Sequence, residues 1–510
     1  MVNRLMGLLG IAVVLVAIAA GLLAGAASAA ADTGSDAGDG TKTSESTQES
    51  TSRTESEKPV KPAEQPKKRK TRNPTAKSNK PHTEKADASD AEPAAKTVKP
   101  AAAPHETATT AIKSGARTAK APAAVEAVRP TEVSESTTLA VTEQAAAPRK
   151  PTLLNFVGSI AMNVVMGLIH TFDGAPVLPA GSTVTVRTST LRIPVAGGRT
   201  VQADWYFPDD GETPTRLIYF QHGLGASGPM YSYTAATLAE QTNSIVIAPS
   251  LTSNFFDIDG AWLGGAPMQQ AVADLFVGER AELTESASAA AGHEVELPTH
   301  FALAGHSLGG SLVMGAAADM IDNGAIDDLA GVLLLDSVDV NNSVPSALQK
   351  LIGVNYRPVY DISSERYVWN MYGKVGDLLQ AARPGQFTGV MLVGGRHIDA
   401  LQGGNPIMQL SQYLIAGFSQ PQNVEAVKTL AVGWVNDMFA GTHDGIYGAP
   451  QQSIQIDTTA GTATAVVLPF ASTQRVQGTP FDGVVFVVLD FMTKFFVYEP
   501  LAGGADLVAT

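Results

Sequence analysis

Apolar positions fall into three regimes along the chain. Residues 5–26 form one apolar run. Residues 32–150 hold no Phe, Trp or Tyr, and among Ile and Leu only Ile112 and Leu139. From residue 151 apolar residues return in short blocks of changing period. Over 153–172, Leu154, Val157, Ile160, Ala161, Val164 and Leu168 recur at helical spacing, which predicts an amphipathic helix with that face on a core. β-Branched and polar residues alternate over 183–188 and 201–207 around Gly197-Gly198, which predicts a strand pair. Apolar strands are then expected at 216–221, 244–248, 301–304, 331–335, 358–362 and 389–393. Helices are expected at 233–241, 267–283, behind residue 307 and at 369–381. Short, continuously apolar strands between helices point to a mostly parallel sheet flanked by helices on both faces, an α/β class.

The tail, 402–510, falls outside that alternation. Trp434, Tyr447 and the apolar runs 466–470 and 484–489 imply structure there. It could extend the sheet, cover a site or dock on lipid. The run at 484–489 is expected to be a buried strand or helix, because Asp490 and Lys494 end it.

Composition divides the chain in the same places. Residues 1–31 read as an export signal or an uncleaved anchor: Arg4, the apolar run, then Ala27-Ser28-Ala29 as a small-x-small cleavage site. Residues 32–150 are a spacer of Ala, Pro, Lys, Thr, Ser and Glu, too poor in apolar groups to offset ordering entropy, and so expected to be disordered. Its basic cluster at 67–72 is expected to be a solvated charge run. Residues 151–510 are the folded catalytic domain, with 402–510 as an extension. The protein is expected to be secreted or associated with the cell envelope, with peripheral membrane contact open. There is no cysteine, so disulfides, thiolate metal sites and thiol nucleophiles are excluded. Of 35 basic residues 21 precede residue 151, and of 49 acidic residues 17 do; the remainder carries 14 against 32, a net of −18. A body this acidic repels phosphate backbones, so no nucleic-acid partner is expected.

The chemistry starts at Gly305-His306-Ser307-Leu308-Gly309, which follows the 301–304 strand and precedes a helix-forming stretch. A serine on such a turn has its hydroxyl pushed into the open, and small flanking residues let strand and helix backbones approach. With 48 glycines in the chain, the pentapeptide alone is a weak signal; its flanks are what strengthen it. A serine nucleophile needs a base, and the base needs an orienting acid. In this context the chain order is Ser, acid, His. Of nine histidines only His397 and His443 follow Ser307. His397 comes just after a strand and is preferred; His443 follows a helical stretch. For the acid, Asp336 and Glu365 both end strands, with Asp339 and Asp361 weaker. The oxyanion donors are expected to be the amide of Leu308 and, from the loop Gln221-His222-Gly223-Leu224-Gly225, the amide of Leu224. No cofactor or metal is implied.

Together these residues resemble the α/β-hydrolase superfamily over about residues 180–400. The His222-Gly223 turn, the serine block, Leu335-Asp336-Ser337-Val338-Asp339 and His397-Ile398-Asp399 are similar to the chlorophyllase and polyester-hydrolase-like branch. In chlorophyllase-like members the acid lies in an Asp-Pro-Val-type block after the strand that follows the nucleophile, which favours Asp336, although Ser337 stands where proline is usual. In polyester hydrolases the acid follows the next strand, which would favour Glu365; the resemblance taken together implies Asp336 as the acid that orients His397, with Glu365 as the alternative. The Cys-free hydrolase behind a signal and spacer also resembles envelope-associated actinobacterial hydrolases. The resemblance implies an α/β-hydrolase fold and an exported serine hydrolase acting on carboxylic esters, with an apolar or lipid ester as substrate. The rival readings are an acyltransferase with an alcohol acceptor and a non-catalytic envelope binding protein.

Overall fold

The structure is a computed structural model that describes residues 149–209, 211–471, 478 and 482–502. The stretch expected to be an export signal and nearly all of the expected spacer lie outside those residues. Helix α1 (Leu153–Asp173) comes first, capped by Thr152, whose side chain accepts from Asn155. The hairpin β1 (Thr185–Ile193) and β2 (Arg199–Phe207) follows, antiparallel throughout. Then the chain alternates: β3 (Arg216–Gln221), α2 (Ser232–Thr242), β4 (Ser244–Pro249), α3 (Ala266–Asp274), α4 (Ala281–Ala291), β5 (Phe301–His306), α5 (Leu308–Asn323) and β6 (Leu329–Leu335). It continues with α6 (Ser343–Lys350), β7 (Val359–Ser363), α7 (Lys374–Ala382) and β8 (Gly389–Leu392). The tail supplies α8 (Pro406–Ala416), α9 (Pro421–Ala440), β9 (Ser453–Thr458), β10 (Gly461–Val467) and α10 (Asp482–Thr493).

The strands form one sheet in the order β1-β2-β4-β3-β5-β6-β7-β8-β10-β9. From β4 to β8 every pair is parallel, and the flanking pairs are antiparallel. Strand residues alternate between two cores, as a period of two requires. Leu217 and Tyr219 of β3 join Leu303, Leu334, Met268 and Leu312 on one face. Ile218 and Phe220 join Leu333, Leu335, Ala235 and Trp434 on the other. A mostly parallel sheet covered on both faces, with a serine on the turn between β5 and α5, is an α/β-hydrolase fold.

Five expectations need correction or completion. The helix expected at 267–283 is two helices: Gly278 and Arg280 adopt left-handed φ values of 60° and 53°, and the Arg280 guanidinium turns inward to the carbonyls of Pro298 and Thr299. The helix expected at 369–381 starts as a 3-10 turn (Val368–Gly373) and is regular only from Lys374, because Met371, Tyr372 and Gly373 all have positive φ. Among the roles open to the tail, β10 pairs with β8 and extends the sheet. The largest difference concerns α1. Val157, Ile160, Val164 and Leu168, expected on the core, face outward, with Ile160 67% and Val164 59% exposed. Gly158 and Met166 are buried instead, and a Cβ on Gly158 would lie 2.7 Å from the Phe256 ring. The run at 484–489 is helical as one of its readings had it, but not buried: Val484 and Val487 of α10 are each 65% exposed.

Candidate active site

Ser307 sits between β5 and α5 at φ 54°, ψ −125°, a conformation that non-glycine residues rarely adopt. The turn is held from several sides. Ser307 N–H donates to Leu335 O at 3.1 Å, and Val338 and Gly310 N–H donate to Ser307 O. The two glycines of the motif are there for space. A Cβ on Gly305 would lie 2.4 Å from Gly309 O, and one on Gly309 would lie 2.4 Å from His222 O. So α5 leaves the sheet pressed against the end of β3, and the β3 loop passes directly over the serine. A Cβ on Gly223 would lie 2.9 Å from Ser307 Cβ and 3.4 Å from its Oγ.

That loop has a clear division of labour. Gly223 N–H donates to the Tyr231 hydroxyl at 3.1 Å, and Gly225 N–H donates to Ser253 Oγ at 2.8 Å. Leu224 N–H between them and Leu308 N–H at the start of α5 have no acceptor among the described residues. Two unengaged amides beside a serine, one at a helix N-terminus, suit an oxygen that gains negative charge.

His397 and Asp336 meet from neighbouring strand ends. His397 Nδ1 lies 2.6 Å from Asp336 Oδ2. An ionised carboxylate only accepts, so Nδ1 carries the proton and Nε2 is left with its lone pair. Asp336 is buried, which opposes ionisation. Hydrogen bonds from His397, Asn370 and Ser364 outweigh burial and hold its carboxyl below the ordinary value. His397 N–H donates to the buried Tyr367 hydroxyl, and Trp369 stacks on the imidazole at 6.0 Å. The hydrogen bonds of the described residues do not include one between Ser307 Oγ and His397 Nε2.

The other candidate residues are elsewhere. Glu365 lies near the site and accepts from Gly394 N–H at 3.0 Å rather than from His397 Nδ1. Asp361 is buried on β7 behind Asp336; burial first, then the Asp336 charge, raises its pKa well above the usual carboxylate range. Asp339 accepts from Ser311 and Val344. His443 is exposed after α9, with its ring on Tyr447 at 3.5 Å.

One network had no signal in the sequence. His306 Nε2 is 2.7 Å from His397 O, so it donates there, and Nδ1 must accept from the Tyr231 hydroxyl at 2.7 Å. Tyr231 in turn accepts from Gly223 N–H. The chain Gly223–Tyr231–His306–His397 links the donor loop, the serine turn and the base. Burial, with the neighbouring His397, pushes His306 down to about 3, so it stays neutral. In the sequence His306 stands out only as part of the serine motif, and Tyr231 does not stand out at all.

No family model matches the chain, and no curated protein does. Solved structures are similar to part of it. Brefeldin A esterase, described as a bacterial homologue of human hormone-sensitive lipase, is 14% identical over 58% of this chain and 90% of its own, with a TM-score of 0.39. Dienelactone hydrolase from Anabaena variabilis is 16% identical over 49% and 97%, at 0.34. Carboxyl esterase 2 from Tuber melanosporum is 12% identical over 53% and 90%, at 0.34. These likenesses are too remote to bear on the chemistry, which rests on the geometry above.

Proposed function

We propose that this chain is a serine hydrolase of carboxylic esters. The observation that carries the reading is the 2.6 Å His397–Asp336 contact beside a serine held on a strained turn under two unengaged amides. Ser307 Oγ attacks the ester carbonyl while His397 Nε2 takes its proton. The carbonyl oxygen becomes an oxyanion, stabilised by Leu224 and Leu308 N–H. Asp336 keeps the imidazole in the Nδ1–H tautomer and stabilises the imidazolium. His397 returns the proton to the leaving alcohol, and water, activated by the same imidazole, releases the acid and frees Ser307. An apolar acyl group and an exported or envelope-bound setting complete the reading.

A fluorophosphonate probe tests it. The wild-type protein is expected to be labelled at Ser307, and Ser307→Ala to be neither labelled nor active on p-nitrophenyl esters. An unlabelled wild type, or a labelled Ser307→Ala protein, refutes the mechanism.

Tyr231 is the positioning residue of this reading. Tyr231→Phe keeps the ring but removes the oxygen between Gly223 N–H and His306. A buried hydrogen-bonding group left unsatisfied costs about 1–3 kcal/mol. If that cost falls on the transition state, kcat drops about tenfold with KM unchanged. An unchanged kcat in a folded variant shows that the network does not position the site.

A further inference from the structure

The first described helix is apolar on its outward face as well as on the face it turns to the core. Its inward face is mixed: Leu154, Met162, Met166 and Ile169 pack on the core, beside polar contacts in which Asn254 Nδ2 donates to Ser159 Oγ at 2.7 Å and, at the exposed edge, to Asn163 Oδ1 at 3.0 Å, and Ser227 Oγ donates to the buried Asp173. Its outward face is Leu153, Phe156, Val157, Ile160 and Val164, all exposed. The helix is 21 residues long and its most apolar 18-residue window has a mean hydropathy of 1.6, yet only 11% of that window is buried. By length and composition it could cross a bilayer, but its side-chain bonds and the Phe256 ring under Gly158 fasten it flat on the body.

A second helix with an exposed apolar face is anchored at the same ring. Val484, Phe486 and Val487 of α10 are exposed, and the chain just beyond it lays Phe495 against Phe256 at 5.9 Å between ring centres, the ring on which Gly158 also rests. Ala502 N–H donates to Arg149 O at 2.9 Å, which joins the two segments again. An exposed apolar surface of this extent marks an interaction site.

We propose that the outward faces of α1 and α10 dock into the surface of a fluid phospholipid bilayer. Three observations select that occupant. Residues 153–172 carry no Asp, Glu, Lys or Arg, within a body of net charge −18. The charges just before the helix are Arg149 and Lys150, whose sign fits lipid phosphates while their stems lie along the acyl boundary. The apolar run 5–26 precedes α1 in the same chain, so a bilayer that takes up that run has α1 as the first described element within reach. The surface also adjoins the candidate site. Asp173 holds Ser227 of the donor loop, and Asn254, bonded to α1, follows Ser253, which holds Gly225. The proposal deepens the ester reading, since a docked face brings membrane-borne esters to Ser307, but its test does not depend on turnover.

The Cys-free chain allows single probes. The full chain would carry Ile160→Cys, Val487→Cys or, as a control on the exposed β10 residue, Thr462→Cys, each labelled with a solvatochromic nitrobenzoxadiazole. With phosphatidylcholine–phosphatidylglycerol vesicles, the first two probes are expected to shift to the blue, brighten severalfold and be quenched by spin-labelled lipid. The control is expected to do none of these. Probes at both positions that stay in water on vesicle-bound protein overturn the proposal. So does shielding without lipid: if dilution reverses it, a second copy covers the face; if not, another segment of this chain does. Repeating the measurement in Ser307→Ala separates the two readings, because docking must persist there whether or not ester cleavage is real.

Discussion

Asp336→Asn is expected to lower kcat/KM on a soluble ester by about 10⁴-fold, the scale associated with placing the base in the wrong tautomer. The Asp336 carboxylate accepts from His397 Nδ1 and also from Ser364 N–H, Ser364 Oγ and Asn370 Nδ2. An amide at this position turns one acceptor into a donor. It either faces those donors with its NH₂ or accepts from them and turns its NH₂ toward His397. In the second case Nδ1 must accept, Nε2 carries the proton, and the imidazole cannot take one from Ser307. Glu365→Gln is the matched control. Glu365 accepts from Gly394 N–H, so its loss is expected to change kcat/KM only a few-fold. Thermal unfolding of both variants separates chemistry from folding, because Asp336→Asn also disturbs a buried network. If Glu365→Gln loses activity on the larger scale and Asp336→Asn keeps it, the acid is Glu365.

Trp262→Ala is expected to remove about 3–5 kcal/mol of stability, as truncation of a fully buried aromatic does. The Trp262 side chain is completely buried, and its indole N–H donates to Val497 O at 2.6 Å. Phe496 packs edge-on at 4.9 Å, and Phe255 and Tyr498 close the cluster at 6.2 Å. Two of those rings come from the tail, so this tryptophan fixes the last described stretch of chain to the central core. Urea unfolding measures the loss, and hydrogen exchange should show residues 494–502 opening first in the variant. A loss under about 1 kcal/mol, the range of ordinary substitutions, would mean that the tail packs loosely on the body.

These two residues differ in how far the sequence exposes them. The sheet was readable because its central strands are buried on both faces and appear as unbroken apolar runs, such as Leu217 to Phe220 and Val332 to Leu335. The serine turn was readable because its glycines mark backbone contacts that no other residue allows. Residue pattern alone did not separate Asp336 from Glu365, since both follow strands; the family resemblance is what pointed to Asp336, the carboxylate that meets His397 Nδ1. Arg280 hid a break between two helices because the apolar spacing runs through it. Tyr231 and His306 are 75 positions apart, and no local pattern joins them. For α1, periodicity located a stripe but not the medium it faces. The hydrogen bonds of Asn254 to Ser159 and Asn163 fix which side meets the protein.

The histidines around the serine turn have a consequence for proton counting. The His306 and His397 rings are 4.6 Å apart, and His222 is close enough to act on His306 through its charge. Burial pushes His222 down to about 4 and His306 to about 3. Above those values both rings serve as fixed, uncharged struts. A magnetic-resonance titration is therefore expected to show neither the His222 nor the His306 ring taking up a proton near neutrality.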